Sequence, residues 1–194
     1  SIARVSITSS DNDNGEAWRL NTEGKENREL EPESRTKGTT VTVKDLFYAT
    51  PARLKFLKSD TTESEVCNQT LNRIALAFRN VSFTLYDKGK KKFTYEATDN
   101  LKQRIKDIFG ETFSESLFEV KIERGKYSLY GFIGVPTFNK PSSNYQYFFV
   151  NNRFVKDKTF ALALRSAYSG LVPSGRYPVA ILFLDMPYDE VDVN

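Results

Sequence analysis

The sequence predicts an α+β protein made of two domains that meet near residue 99. Three observations support this fold class. Residues 38–47 alternate β-branched and polar side chains, a pattern typical of strands. After residue 62, apolar residues recur at helical spacing. In the second half, a strand, a helix and a strand follow one another, which favours a parallel strand pair connected by a crossover helix.

The first part of the chain is predicted to consist mainly of strands. Alternating apolar residues predict strands at 2–7, 17–22 and 38–47, the first two joined as a hairpin by a polar turn. Residues 23–37 are charged and contain Pro32, so they are predicted to form a loop or irregular edge structure. Pro51 biases the preceding residue away from helix, and a helical turn is therefore expected to begin at the proline.

A helix, a hairpin and a second helix are predicted next. Thr62 and Glu65 fit a capping box, and one apolar stripe follows at Cys67, Leu71, Ile74 and Phe78. We expect this helix, at about 62–79, to pack on a sheet. Two strands at 81–86 and 92–97 form the hairpin. Asp99 is expected to cap the second helix, and Gly110 to end it.

The last part of the chain is predicted to contain four strands and one helix. The strands are expected at 117–123, 127–135, 145–151 and 179–184, with a loop bracketed by prolines at 136–144. The helix is expected at about 158–169, between the last two strands. This arrangement gives the second domain its predicted mixture of sheet and helix.

Composition excludes several classes of function. The 194 residues include one cysteine and no histidine, so the chain builds neither an internal disulfide nor a Ser-His-Asp triad nor a zinc site with histidine. No metal site is predicted. No signal peptide or membrane-length apolar run is visible, and we expect a cytoplasmic protein without a membrane contact. The lysines at 88–92 are interpreted as a soluble hairpin turn, with an accessory phosphate contact as the alternative.

Three sequence blocks resemble a known family. Residues 38–57 read Gly-Thr-Thr-Val-x-Val-x-Asp-Leu-Phe-Tyr-x-Thr-Pro-Ala-Arg-x-Lys-Phe-Leu, residues 149–153 read Phe-Val-Asn-Asn-Arg, and residues 191–194 read Val-Asp-Val-Asn. In this order they resemble signatures of the MutL family of DNA mismatch repair ATPases. Residues 1–6 are similar to the segment after that family's glycine-rich lid. Ala49 departs from the family, which shows asparagine there, and removes a hydrogen-bonding side chain from the turn.

The resemblance implies both a fold and a function. Residues 1–98 are expected to be the last part of a GHKL (Bergerat) ATPase α/β sandwich, and residues 99–194 a transducer domain with a ribosomal protein S5 domain 2-like fold. The intact protein is expected to bind and hydrolyse ATP with magnesium, and so to control closure of a homodimer on DNA. Its implied partners are non-specifically bound DNA and a mismatch-recognition protein of the MutS type.

The resemblance also implies site residues. Of the four nucleotide-binding motifs of GHKL ATPases, this chain carries the fourth, the pair Gly38 and Thr39 beside the adenine. Arg153, Lys156 and Lys158 match or adjoin basic residues of the family's DNA-binding surface, where they attract phosphates without reading bases. Each assignment has an ordinary alternative: the Gly-Thr pair simply starts a strand, and the basic residues keep a strand end soluble.

Two other functions stay open at this point. One is a nucleic-acid-binding or scaffolding module that has an S5-like fold and no ATPase role. The block at residues 38–57 distinguishes the mismatch repair family from such a module. The other is a different GHKL protein, such as a topoisomerase ATPase subunit, but residues 45–57 match the mismatch repair branch better.

We expect the 194-residue chain by itself neither to hydrolyse ATP nor to bind it tightly. Hydrolysis requires a base, a magnesium ion and a phosphate clamp that act together, and the family supplies these from the three motifs other than Gly38 and Thr39. Calorimetry on the pure chain should therefore detect no saturable ATP binding at micromolar concentration. Weak adenosine binding agrees with this expectation, whereas saturable micromolar ATP binding contradicts it.

Overall fold

The computed structural model describes residues 2–23, 26–27 and 29–191, which belong to two compact units. Contacts between Cα atoms separate Ser1–Glu63 from Ser64–Asn194. The predicted junction between residues 98 and 99 lies inside the second unit, and as the boundary between two domains it stays a prediction. Ser1 of the opening block and residues 192–194 of the closing block lie outside the described residues.

The first unit is built on one antiparallel sheet. Its strands are β1 (Arg4–Ser10), β2 (Glu16–Glu23), β3 (Glu26–Asn27), β4 (Glu31–Ser34) and β5 (Gly38–Lys44), in the order β3-β2-β1-β5, with β4 also pairing with β2. A short helix, α1 (Pro51–Leu54), begins at the predicted proline, whose fixed φ suits a first helical position. The predicted strands and hairpin are confirmed, and the predicted edge segment contains β3 and β4.

β5 ends before the predicted residue 47 because the backbone turns after Lys44. Asp45 and Phe47 have φ angles of 52° and 67°, in the left-handed region that bulky side chains seldom adopt. Arg4 holds this turn from β1, with its Nη1 2.6 Å from Asp45 Oδ2. The amide of Phe47 donates to the carbonyl of Ile2 at 2.7 Å. These contacts stabilise a conformation that the alternating sequence pattern does not reveal.

The two faces of this sheet differ in polarity. Strand register places one row of polar side chains on the same face: Arg4, Ser6, Thr8, Arg19, Asn21, Thr42 and Lys44. The opposite face, called here the apolar sheet face, carries Val5, Ile7, Trp18, Leu20, Val41 and Val43. Three of these side chains, Trp18, Val41 and Val43, are 56%, 59% and 55% exposed. The apolar sheet face is thus a large exposed patch of the kind that marks a binding or packing surface.

The second unit contains a five-stranded mixed sheet, a separate hairpin and a small strand pair. Its strands are β6 (Phe83–Asp87), β7 (Lys90–Tyr95), β8 (Leu117–Arg124), β9 (Tyr127–Gly134), β10 (Asn139–Lys140), β11 (Gln146–Val150), β12 (Arg153–Val155), β13 (Tyr177–Pro178) and β14 (Ala180–Asp185). The main sheet has the order β12-β11-β14-β9-β8, while β6 pairs with β7 and β10 with β13. Its helices are α3 (Leu101–Phe109), α4 (Glu111–Glu115) and α5 (Lys158–Ala167), and most of the long helix α2 (Asp60–Ala77) also belongs to it.

The main sheet of this unit is buried on both faces. One face packs in a core with α2, α3 and α4, which includes Leu76, Ile105, Phe113, Phe149 and Phe183. The other packs against α5, in a core of Phe148, Leu164, Tyr168 and Ala180. β11 contributes to both cores because successive side chains point to opposite faces, which explains its continuous apolar sequence. β11 and β14 run parallel with α5 between them in the chain, so the predicted crossover is confirmed.

The predicted start of α2 is wrong. The helix begins at Asp60, so Thr62 lies within its first turn. Ser59 takes the capping position, where its hydroxyl accepts the Thr62 amide at 3.4 Å, and Glu63 accepts the Lys58 amide at 2.9 Å. Several neighbouring residues in this segment have side chains that can cap a helix, so the capping-box pattern did not identify Ser59 as the cap.

α2 packs on a sheet as predicted, but the apolar stripe is not the face that it buries. Cys67 is exposed, and Ile74 and Phe78 are 42% and 47% exposed. The buried residues of this helix are instead Ala75, Leu76 and Ala77 in its last turn. The helix enters the core only at its C-terminal end, where Leu76 packs with Ile105 and Phe113, so the position of the core overrides the periodicity.

The other sequence predictions for this unit hold with small changes. The hairpin at β6 and β7 and the helix that ends at Gly110 are confirmed. The cap of α3 is Asn100 and not Asp99, because the Asn100 side chain accepts the Gln103 amide at 3.2 Å. The short elements β10, β12, β13 and α4 were not predicted, since two to five residues carry too little periodicity.

Arg104 on α3 is fully buried and fastens the β6–β7 hairpin to that helix. Its Nη2 donates to the carbonyls of Arg79, Val81 and Glu96 at 2.7, 2.8 and 2.9 Å. These carbonyls lie just outside the two ends of the hairpin. Burial lowers the pKa of the Arg104 guanidinium, which nevertheless stays charged because arginine does not lose its proton in proteins.

A two-residue turn, Asn151 and Asn152, joins β11 to β12. Both residues are left-handed, with φ angles of 46° and 63°, as a type I′ turn requires and as asparagine tolerates. The Asn151 side chain accepts the Met186 amide and donates to the Met186 carbonyl, both at 2.9 Å. Asparagine in this block therefore shapes the turn and also holds the segment that follows β14.

Replacing Arg104 with methionine should lower the free energy of unfolding by about 3 kcal/mol or more, because three carbonyls lose their donor. Urea denaturation followed by circular dichroism measures this change. Arg124→Met is the control, since that exposed side chain at the end of β8 should contribute less than about 0.5 kcal/mol. Equal, small effects of both changes would show that Arg104 does not hold the hairpin.

Asn151→Ala should lower the free energy of unfolding by roughly 2 kcal/mol, because it removes two hydrogen bonds and places alanine at positive φ. Asn151→Gly tolerates the turn and loses only the hydrogen bonds, so its loss should be smaller. Asn152→Gly is the matched control and should be neutral or slightly stabilising. Chemical denaturation of the three variants tests this order, and an unchanged Asn151→Ala variant would refute it.

Candidate functional site

The predicted nucleotide residues Gly38 and Thr39 start β5. Gly38 has a φ of 130°, and a Cβ at this position would lie 3.2 Å from Arg35 Nη2, so the backbone here favours glycine. Arg35 Nη1 donates to the Thr8 carbonyl at 2.9 Å and to Thr40 Oγ1 at 2.8 Å. These contacts fix the entry to β5 against β1.

Thr39 projects from the apolar sheet face. Strand register places it in one row with Ser9 and Trp18, and its hydroxyl oxygen lies 2.8 Å from Ser9 Oγ. Hydroxyl groups donate and accept hydrogen bonds, and an exposed indole offers a flat apolar surface. The row of Ser9, Trp18 and Thr39 is chemically suited to a planar heterocycle, whose ring would lie on the indole and whose polar edge would face the two hydroxyl groups.

The polar face of the same sheet contains an open cavity of about 500 Å³. Its basic side chains are largely paired. Arg4 contacts Glu23 at 2.8 Å as well as Asp45, and these carboxylates raise the pKa of Arg4. Arg19 forms an ion pair with Glu33. Since its main cations are already matched by carboxylates, this cavity is a weaker candidate for an anionic ligand.

A different cavity, in the second unit, contains two of the predicted DNA-binding residues. Lys156 and Lys158 line a space of about 290 Å³, called here the β12–α5 cavity, together with Arg73 from α2. The other walls come from β11, β12, α5 and the 3₁₀ turn at Ser143–Tyr145. None of the three basic residues has an ion-pair partner among the residues the structure describes. The arrangement concentrates positive charge in one concave site.

Asp157 is the carboxylate that lines this cavity. Its Oδ1 accepts the amides of Thr159 and Phe160 at 2.7 and 3.2 Å, and so caps α5. These hydrogen bonds lower the pKa of Asp157, which is therefore ionised at neutral pH. Because its oxygen is bound to the amides of Thr159 and Phe160, these two amides are not available to a ligand.

A second cavity of about 280 Å³ continues along α5. It shares Ser143, Gln146, Lys158 and Ala161 with the first cavity and adds Leu162, Arg165, Arg176, Tyr177 and Pro178. Arg176 is held in position by Asn139, through contacts of 2.6 Å to Oδ1 and 3.0 Å to the carbonyl. The two cavities together are called the α5 groove. Five basic side chains and one carboxylate line it.

The predicted DNA-binding residues are only partly brought together. Lys156 and Lys158 share the β12–α5 cavity, whereas Arg153 is exposed at the β11–β12 turn and does not line the groove. Arg73, Arg165 and Arg176 were missed, and two of them come from distant parts of the sequence. Arg165 could have been found from the sequence, because it follows Lys158 by seven residues and so lies on the same face of α5.

The described residues contain no group of three or more His, Cys, Asp or Glu side chains placed to hold a metal ion. None of the helices in the described ranges is long and apolar enough to cross a membrane.

Comparisons with known proteins agree on one family. Residues 105–194 match the family described as DNA mismatch repair protein, C-terminal domain. The whole chain is 42% identical to DNA mismatch repair protein MutL of Pseudomonas entomophila, and 40% identical to that of Rickettsia bellii. It spans only 31% and 32% of the lengths of these two relatives.

Solved structures share the fold. The MutL ATPase domain of Aquifex aeolicus complexed with ADP superposes with a TM-score of 0.75 at 22% identity, over 96% of this chain and 68% of that one. This likeness confirms the predicted α+β fold class. The identities along the whole chain and the family match lead to one conclusion: the chain belongs to the MutL family of DNA mismatch repair proteins.

Proposed function

We propose that this chain is the part of a DNA mismatch repair ATPase in which the end of the ATPase domain, residues 1–98, is joined to the transducer domain, residues 99–194. The whole protein binds and hydrolyses ATP to control closure of a homodimer on DNA. It also recruits repair partners, among them a mismatch-recognition protein of the MutS type. This activity takes place in the cytoplasm.

Nucleotide contact is assigned to the start of β5. Gly38 allows close backbone approach, and Thr39 offers a hydroxyl on the apolar sheet face beside the exposed Trp18 ring. These features suit the adenine of ATP. The solved relative from Aquifex aeolicus is a complex with ADP, which supports a nucleotide at this fold. Magnesium would be held by the family's other nucleotide motifs and not by Gly38 or Thr39.

DNA contact is assigned to Lys156 and Lys158, with Arg153 at the adjoining turn. The observation that carries this assignment is the α5 groove, where five basic side chains face one carboxylate. Lysine and arginine neutralise phosphates and release counterions, which gives salt-dependent affinity for any sequence. Contacts of this type position DNA without reading its bases, as a protein that closes on DNA of any sequence requires.

Charge reversal at Arg153 or Lys158 should weaken binding of the chain to random duplex DNA by about tenfold at low salt, through lost phosphate contacts. Each lost contact should also reduce the slope of log K against log salt concentration by about 0.9. Lys91→Glu, in the β6–β7 hairpin, is the matched control and should have little effect. Fluorescence anisotropy with labelled duplexes of several sequences measures all three variants.

Two outcomes would refute the DNA assignment. Equal losses at Lys91, Arg153 and Lys158 would mean that diffuse positive charge, and not this site, binds the DNA. Unchanged affinity of the Arg153 and Lys158 variants, in a chain that binds DNA, would place the contact elsewhere.

A further inference from the structure

We propose that the β12–α5 cavity binds one phosphate group of the DNA backbone, and that Arg73 is a principal ligand of that phosphate. The inference rests on the proposed DNA binding and deepens it. It assigns a DNA contact to a residue of α2 that lies far in sequence from Arg153, Lys156 and Lys158. The phosphate would bind in the space that Arg73, Lys156 and Lys158 line together.

The position of Arg73 supports this role. Its Cζ lies 4.4 Å from the centre of the Phe154 ring, a cation–π contact that restrains the guanidinium. Its Nε is buried and has no hydrogen-bond partner within the described parts of the chain. A buried donor without an acceptor is unfavourable in a folded protein, and a ligand or a water molecule can supply the acceptor.

Arginine is the side chain best suited to this ligand. Its planar guanidinium can donate two parallel hydrogen bonds to two phosphate oxygens, and the contact with Phe154 restrains that group. Arg73 has no carboxylate within ion-pair distance among the described residues, and its charge is therefore available. A lysine at the same position would keep the charge and lose the paired geometry.

The remaining walls of the cavity fit a phosphodiester. Lys156 and Lys158 supply two further positive charges at its rim, and the side chains of Ser143 and Asn144 provide polar groups. Asp157, the opposing charge, accepts the amides of Thr159 and Phe160 and is held to α5. The volume of about 290 Å³ exceeds that of one phosphate and leaves space for the adjoining sugar.

Continuation of the groove favours a polymer over a free ion. The second cavity extends from Lys158 to Arg165 and Arg176, so positive charge continues along α5 beyond the first phosphate position. A nucleic acid strand presents phosphates at regular intervals, whereas inorganic phosphate occupies one position only. We therefore assign the cavity to the DNA backbone and treat free phosphate as a separate outcome.

The first experiment measures DNA binding of the whole 194-residue chain by fluorescence anisotropy, at several salt concentrations. Arg73→Gln should weaken binding to random duplex about tenfold and reduce the salt slope by about 0.9. Arg73→Lys should weaken binding about threefold and leave the slope unchanged, because the charge remains. Arg124→Gln, an exposed arginine on β8, is the matched control and should bind like the unmodified chain.

The second experiment needs no variant that alters folding. The buried Nε–H group of Arg73 should give a slowly exchanging nitrogen–proton NMR signal, assigned by its loss in Arg73→Lys. Addition of duplex DNA should shift this signal, while an equal ionic strength of sodium chloride should not. If circular dichroism shows that Arg73→Gln does not fold, this titration alone tests the role of Arg73.

The outcomes separate this inference from the proposed function. If the chain binds no DNA, or if the Arg153 and Lys158 variants bind unchanged, the proposed DNA assignment fails. If those variants lose affinity while Arg73→Gln behaves like Arg124→Gln, only the Arg73 inference is overturned. A signal that shifts with inorganic phosphate and not with DNA would also overturn it, because the cavity would then take a free anion.

Discussion

One buried guanidinium holds together parts of the second unit that the sequence alone would separate. Arg104 reaches from α3 to three carbonyls at the two ends of the β6–β7 hairpin, and its side chain is fully buried. The last turn of α2 enters the same core through Leu76, which packs beside Ile105. The hairpin and the end of α2 therefore belong physically with the five-stranded sheet, although the predicted domain junction falls between residues 98 and 99.

Residue type and spacing along the sequence correctly predicted most strands and turns. Alternation identified β1, β2, β5 and the β6–β7 hairpin, and Gly89 and Gly110 marked a turn and a helix end that require or favour positive φ. Residue type and spacing did not identify the helix caps, because several neighbouring residues have side chains that can form a cap. Ser59 and Asn100 form the caps that the sequence pattern gave to Thr62 and Asp99. The choice between such neighbours depends on tertiary packing, which periodicity does not contain.

The candidate site residues fall into two groups: those that a contiguous stretch of sequence identifies, and those that only the fold brings together. Gly38 and Thr39 could be found from a contiguous block, and so could Lys156 and Lys158, because the strand, turn and helix that carry them are consecutive. Arg73 and Arg176 reach the same groove from α2 and from the segment before β13, and only the folded chain brings them together. A stretch of sequence predicts which residues start a site, whereas the fold determines which residues complete it.

The two hydrogen bonds between Asn151 and Met186 restrain the segment of chain that follows β14. Glu190, a few residues further on, is anchored by Lys126 and by Tyr127, whose hydroxyl donates to it at 2.6 Å. The chain leaving β14 is thus fastened to the β11–β12 turn on one side and to the β8–β9 hairpin on the other. Asn151 lies in the turn that precedes β12, and Lys156 and Lys158 of the α5 groove follow that strand in the chain. The segment from Met186 to Glu190 is therefore held at two points, one of them beside the strand that leads into the α5 groove.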